Sequence, residues 1–186
     1  MNYKLIIISS VIAVGIIASL AEKFSSEKEI MPVTQSIYDF KINGLNGQEI
    51  DFSTFKGKYV MIVNTASKCS YTPQYTDLQK LNEQYKDQVA ILGFPANNFL
   101  WQEPGTNHDI EEFCQINYGV TFQMFEKISV KGDDRHPLYT WLESKTGKTP
   151  SWNFCKYLIG KDGEVLAYYP SKVSPLDKVI IDRITQ

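Results

Sequence analysis

From Leu5 to Ala21 the chain carries no charge and is dominated by Ile, Val, Leu and Ala. Glu22 to Val33 is polar, with Ser25-Ser26 and Pro32, the composition of a tether. Patterned sequence begins at Ser36. Tyr38, Phe40 and Ile42 alternate ahead of Asn43-Gly44-Leu45-Asn46-Gly47, and Ile50 and Phe52 follow, which predicts a small hairpin with Asn-Gly turn chemistry. Tyr59 to Val63 is a continuous apolar run, as expected of a strand covered on both faces. Pro73 suits a first helical position, and Tyr75, Leu78, Leu81 and Tyr85 recur at helical spacing. Val89 to Phe94 is a second short apolar run, so the three segments read as strand, helix and parallel strand with a right-handed crossover.

A loop with Phe99 and Trp101 follows, from Ala96 to Gly105. Thr106 or Asn107 then caps a helix whose Ile110, Phe113, Cys114 and Asn117 share a face and which ends at Gly119. His136 to Ser144 is a third helix, with Gly147 beyond it. Phe154 to Ile159 and Glu164 to Tyr169 flank the turn Lys161-Asp162-Gly163. Ser174 as cap and Pro175 as first residue open a last helix with the stripe Leu176, Val179, Ile180 and Ile184. A mixed sheet, parallel in its first half and antiparallel in its second, with helices on both faces, is an α/β thioredoxin-like fold.

The 186 residues leave room for one domain with a substantial core, at residues 36–186, behind a linker at 22–35 and the apolar segment at 1–21. Seventeen helical residues reach roughly 25 Å, slightly short of a bilayer core and long for a signal-peptide apolar region. Ser19-Leu20-Ala21 fits a small-x-small cleavage site, so a cleaved signal peptide and an uncleaved membrane anchor both stand. Either places the remainder on the exported, extracytoplasmic side, because Lys4 precedes the run. A net charge of −2 without a basic block gives nucleic-acid binding no electrostatic support. Three cysteines 45 and 41 residues apart form neither a disulfide scaffold nor a zinc-ligand spacing, and His108 and His136 form no ligand-spaced pair. No metal, cofactor or prosthetic group is implied.

Cys69 carries the chemical interest. It follows a buried-looking strand and precedes an amphipathic helix, where the positive end of the helix dipole favours thiolate over thiol. Thioredoxin-type oxidoreductases carry Cys-x-x-Cys at such a junction, whereas Thr72 occupies the fourth position here. A lone sulfur without a local partner suits an enzyme that substrate itself oxidises. Cys114, spaced with Ile110 and Phe113, reads from its helix face as a small buried hydrophobe, and Cys155 reads as core of a central strand.

Several motifs in fixed order carry a resemblance. They are Val63-Asn64-Thr65-Ala66-Ser67-Lys68-Cys69, Leu92-Gly93-Phe94-Pro95, Gln102-Glu103-Pro104-Gly105, Glu112-Phe113-Cys114, Asn117-Tyr118-Gly119-Val120-Thr121-Phe122, His136-Pro137-Leu138-Tyr139 and Trp152-Asn153-Phe154. Over residues 36 to 184 the chain resembles the glutathione peroxidases. The resemblance implies that Cys69 is the peroxidatic residue and that Gln102, Trp152 and Asn153 complete its tetrad. Such neutral amide and indole donors hold a thiolate and a departing oxyanion without a titratable base. It also implies that Cys114 matches the resolving cysteine of members reduced by thioredoxin, a role that core packing in another redox state does not exclude. On its own, Trp152 is as readily rim packing and Asn153 a turn residue.

The implied function is a thiol peroxidase that reduces hydrogen peroxide or organic, including lipid, hydroperoxides. A thioredoxin-like protein or glutathione would regenerate it. Only Lys145 to Ser151 fill the stretch where tetrameric members carry an insertion, which implies a monomer. Departures fall on the loop before Gln102: Ala96 stands for a common cysteine, and Asn98, Leu100 and Trp101 stand for Gln and Gly-Gly. Gln123 stands where proline is frequent. The rival readings are an exported thiol-disulfide reductase of the same fold and a non-enzymatic peroxide sensor.

Overall fold

The structure, a computed structural model, describes residues 36–186. The apolar segment and the linker read from the sequence lie outside the described residues. Among the described residues, no helix is long and apolar enough to cross a membrane.

The first expected alternation is broken at its start. Ser36 Oγ accepts the Tyr38 N–H at 3.2 Å and Asp39 accepts the Ser36 N–H at 2.8 Å, which winds Ile37–Asp39 into a 3₁₀ turn. The hairpin is therefore shorter: β1 (Lys41–Asn43) pairs antiparallel with β2 (Glu49–Asp51), Ile42 opposite Ile50.

The main sheet has five strands in the order β5-β4-β3-β6-β7. They are β3 (Tyr59–Thr65), β4 (Val89–Pro95), β5 (Gln123–Met124), β6 (Lys156–Ile159) and β7 (Val165–Tyr169). β3 and β5 run parallel to β4, and β6 runs antiparallel to both β3 and β7, the expected mixed sheet. β5 has two residues, too few to leave a periodicity in the sequence. It fits beside β4 because residue 93 is glycine: a Cβ there would stand 2.3 Å from Met124 Sδ.

Alternation sorts the two faces of the sheet. Met61, Val63, Ile91 and Leu158 meet α1 (Gln74–Tyr85), α2 (Asn107–Tyr118) and α4 (Lys178–Ile184) through Tyr75, Leu78, Leu81, Ile110, Cys114, Ile180 and Ile184. On the other face Phe94 contacts Phe52, Phe125 and Tyr139, which brings in α3 (Pro137–Thr146). Helices thus cover both faces, and burial of these side chains supplies the main driving force. α4 starts later than the sequence suggested. Ser174 closes a turn with Asp177, and Asp177 caps the helix by accepting the Val179 N–H at 2.9 Å. Val179 consequently faces solvent while Ile180 and Ile184 are buried.

His136 caps α3 by accepting the Leu138 N–H on Nδ1 at 3.1 Å, which requires an unprotonated ring. Burial holds its pKa below the ordinary histidine range. The unfolded state therefore takes the proton first, so this stabilisation is full above about pH 6.5 and is lost as pH falls through the folded value. Thermal melts between pH 7 and 5 are expected to fall more steeply for the wild type than for His136→Asn, which keeps the cap without the titration.

Candidate active site

Three segments meet around the candidate site. The first leaves β3 at Thr65 and carries Cys69 through consecutive tight turns to α1. Thr72 Oγ1 accepts the Cys69 N–H at 2.9 Å and donates to Ala66 O at 2.8 Å, so one hydroxyl closes the loop at the position a second active-site cysteine would need. Bonds from Thr72 N to Cys69 O and from Tyr75 N to Thr72 O carry the turn onward. α1 begins at Gln74 with Pro73 in the cap position, so Cys69 lies in this lead-in and not at the first turn itself. Cys69 is 8% exposed, and its Sγ accepts the Tyr71 N–H at 3.4 Å.

The second segment is the loop from Ala96 to Gly105. Lys68 N–H donates to Gln102 O at 3.0 Å and Ser67 Oγ donates to the Glu103 carboxylate at 2.7 Å, fastening this loop to the one with Cys69. Asn97 accepts the Glu103 N–H, and Lys127 donates to Gly105 O. Burial raises the pKa of Glu103, with Ser67 pulling the other way. The unusual Asn98 is also used: it donates to Ser129 at 2.9 Å and accepts the Val130 N–H at 2.8 Å. Leu100 and Trp101 both have φ near 52°, the left-handed region that non-glycine residues rarely enter, at about 1–3 kcal/mol each.

The third segment runs from Trp152 to Cys155. Asn64, wholly buried at the end of β3, donates to Trp152 O at 2.9 Å and accepts the Cys155 N–H at 3.1 Å. Its own backbone carbonyl accepts the Phe154 N–H at 2.6 Å. Between these clamps Phe154 takes φ 64°. Asn153 then reaches Gln102, donating from Nδ2 to Oε1 at 2.9 Å, while Trp152 packs on Phe99 with ring centroids 5.6 Å apart.

Gln102, Trp152 and Asn153, from segments 50 residues apart in sequence, are thus brought together beside the Cys69 loop. Cys69 Sγ takes its bond from Tyr71 and makes none to the three. Asn153 Oδ1 is buried without a hydrogen-bond partner, an unspent acceptor of the kind that marks working sites. Cys114, from α2, belongs to the same apolar cluster as Cys69. Burial pushes its thiol pKa up to about 11, with the Tyr75 hydroxyl opposing and Glu103 adding to the shift. Cys155 is buried against Tyr168 Oη at 3.1 Å and Ser171 Oγ at 3.5 Å, a more polar setting than a core cysteine usually has. All three thiols are free. Among the described residues there is no cluster able to hold a metal ion.

Sequence reasoning missed three supports. Asn64 and Glu103 lie within recognised motifs, yet only their partners reveal what they do. Lys156 is entirely buried, donating to Val173 O at 2.6 Å and to Gln74 at the start of α1, with burial lowering its pKa to about 8.

A mixed thioredoxin-like sheet with one cysteine on the loop after its central strand, neutral donors gathered beside it, defines a thiol-dependent oxidoreductase. The model of the glutathione peroxidase family matches residues 37–143. Glutathione peroxidase of Lactococcus lactis subsp. cremoris is 50% identical over 145 residues, covering 75% of this chain and 92% of the relative. Glutathione peroxidase-like peroxiredoxin 2 of Saccharomyces cerevisiae is 45% identical over 156 residues, covering 80% and 96%. The crystal structure of Trgpx in apo form matches with TM-score 0.65 and 38% identity over 82% of this chain and 97% of that one. The chain belongs to the glutathione peroxidase family, and it is a thiol peroxidase.

Asn64→Ala strands Trp152 O and the Cys155 N–H in the interior. Chemical denaturation is expected to show a loss of about 2–4 kcal/mol. Peroxidase turnover should fall further than the remaining folded fraction accounts for, since Trp152 and Asn153 lose their anchor.

Proposed function

We propose that Cys69 is the peroxidatic nucleophile of this peroxidase, with Gln102, Trp152 and Asn153 as its donors and Cys114 as the resolving thiol. The Cys69 thiolate attacks the terminal oxygen of a hydroperoxide. The S–O bond forms as the O–O bond breaks, and the departing oxyanion takes a proton to leave as water or alcohol, with Cys69 left as sulfenic acid. The observation that carries this reading is the Asn153–Gln102 bond beside the Cys69 loop. With Oε1 occupied by Asn153, Gln102 keeps its Nε2–H donors for the sulfur or the peroxide oxygen.

Cys114 then attacks the sulfenic sulfur, forming a disulfide and releasing water. A thiol with its pKa near 11 is almost entirely protonated at neutral pH, so resolution requires α2 to open around Cys114. A thioredoxin-like dithiol protein, or glutathione, returns both sulfurs to thiols. Thr72 counts against a thiol-disulfide reductase, because its hydroxyl is committed to Cys69 N and Ala66 O. A sensor would oxidise once per partner event, whereas this reading requires turnover with excess dithiol. The charge-free run at 5–21 supports an exported domain, cleaved or anchored, and the short 145–151 stretch supports a monomer. Mass spectrometry of the mature N-terminus decides the first point: an intact Met1 in purified membranes rejects cleavage at Ala21.

In a peroxide-consumption assay coupled to thioredoxin, Cys69→Ser is expected to fall to background. Gln102→Ala should lose on the order of 10²-fold in kcat/KM. Cys114→Ser should consume one equivalent of peroxide and stop, with the sulfenic acid trapped by dimedone. Full activity of Cys69→Ser would overturn the assignment, and normal cycling of Cys114→Ser would return Cys114 to the core.

A further inference from the structure

We propose that the loop tip made by Leu100 and Trp101 is a bilayer-docking element that seats the site of this peroxidase on a lipid surface. Its use on lipid-borne peroxides rests on the peroxidase reading above; the docking itself does not.

Leu100 is 67% exposed and Trp101 76%, two large apolar side chains side by side at the tip of one loop. Exposed apolar residues scattered singly need no explanation, but an adjacent pair held in left-handed backbone is a different matter. The loop is fastened on both flanks, by Asn98 to Ser129 and Val130 and by Gln102 O to Lys68 N. The tip is therefore presented by a fixed frame, and little order remains to be gained when it binds.

The side-chain pair suits a membrane boundary. Tryptophan prefers the headgroup level, where its ring is in an apolar layer and its N–H is wet, and leucine enters the acyl region beside it. A cation stands on each flank. Lys131 Nζ lies 5.8 Å from the ring of Phe99, and Lys68, whose backbone holds Gln102, is exposed next to Cys69. Asp134, close to Lys131 in sequence, accepts a bond from Ser129. Two lysines beside an apolar tip fit anionic headgroups. Behind the tip, the buried Phe99 packs on the half-buried Trp152, whose neighbour Asn153 bonds Gln102, so the tip adjoins the candidate site.

The remaining sequence favours lipid over a protein partner. The charge-free run from Leu5 to Ala21 is separated from Ser36 by 14 residues, which extend to at most about 50 Å. With that run in a bilayer, the domain never leaves the neighbourhood of a lipid surface. One weak apolar contact is then enough to orient it, since stable anchoring generally needs two signals.

The test uses the full chain and its Leu100→Gly/Trp101→Gly variant with vesicles of phosphatidylcholine containing phosphatidylglycerol. Glycine accepts the left-handed backbone at both positions, so the loop keeps its course. The first readout is quenching of tryptophan emission by brominated acyl chains; the chain has three tryptophans, none of them within residues 1–35. For this readout the variant is Leu100→Gly alone, which keeps Trp101 as the reporter: wild type should be quenched, and the variant should lose most of that quenching. The second is turnover of a phospholipid hydroperoxide in the vesicles against hydrogen peroxide in the same sample. That ratio should fall about tenfold or more in the double variant, with hydrogen peroxide turnover unchanged. Equal quenching of the two proteins would overturn the proposal. So would an activity loss confined to the apparent KM for a thioredoxin-like dithiol, which would make the tip a reductant contact. If neither protein consumes peroxide, the peroxidase reading fails while the quenching still decides the docking.

Discussion

The site depends on how Asn64 ends the central strand. A β-strand offers its lateral hydrogen bonds only to a neighbour in register, and β6 begins its pairing with β3 at Lys156, opposite Val63. Asn64 extends that grip beyond the ladder. Its amide substitutes for a strand neighbour, taking Trp152 O with one end and the Cys155 N–H with the other, while its carbonyl holds Phe154. The chain from 152 to 155 is thereby forced through a left-handed residue, Phe154, that is wholly buried. That course turns Asn153 toward Gln102. The proposed tetrad is in this sense a property of strand termination as much as of the four residues themselves.

A second regularity concerns charge. Gln102, Trp152 and Asn153 are neutral, and burial shifts the titratable groups behind them toward their uncharged forms. Glu103 has its pKa raised, Cys114 is held as a thiol, and Lys156 is drawn down to about 8. A thiolate at Cys69 would then meet fixed dipoles, the Tyr71 N–H and the amide of Gln102, with the exposed Lys68 as the neighbouring cation. The same arrangement makes Cys114 a poor nucleophile while α2 is closed. On the proposed mechanism, oxidation and resolution would be separated by a conformational step, which would give the sulfenic acid a lifetime.

Much of this was legible in the sequence, and the gaps have physical causes. β3, β4, α1 and α2 were readable because long apolar runs and helical spacing integrate over many residues. β5 was not, since two residues carry no period. α4 was placed too early because Ser174-Pro175 has the chemistry of a helix start, yet Asp177 offers the competing cap nearer the buried isoleucines. Family resemblance put Gln102, Trp152 and Asn153 on the page, and the structure added that they converge. What no local pattern could supply were partners distant in sequence: Asn64 with Cys155, Ser67 with Glu103, Lys156 with Gln74. Each is an ordinary polar residue until its partner is known.

Among the described residues three non-glycine residues have positive φ, and all three lie in two of the three segments that meet at the candidate site. Their compensations differ. Phe154 is wholly buried, and the bonds to Asn64 together with its ring contact to Tyr75 offset its strain. Leu100 and Trp101 have a smaller return, because their side chains are mostly exposed and recover little packing from the protein. Strain that is not recovered within the fold must be recovered outside it or simply be borne by a stability margin of only 5–15 kcal/mol. Glycine would remove the cost at either position, and the chain has glycine at other left-handed turns, such as Gly119 and Gly147. Leucine and tryptophan at these positions thus cost the fold and add apolar surface on the loop that carries Gln102. The proposed lipid partner for that tip accounts for both facts at once.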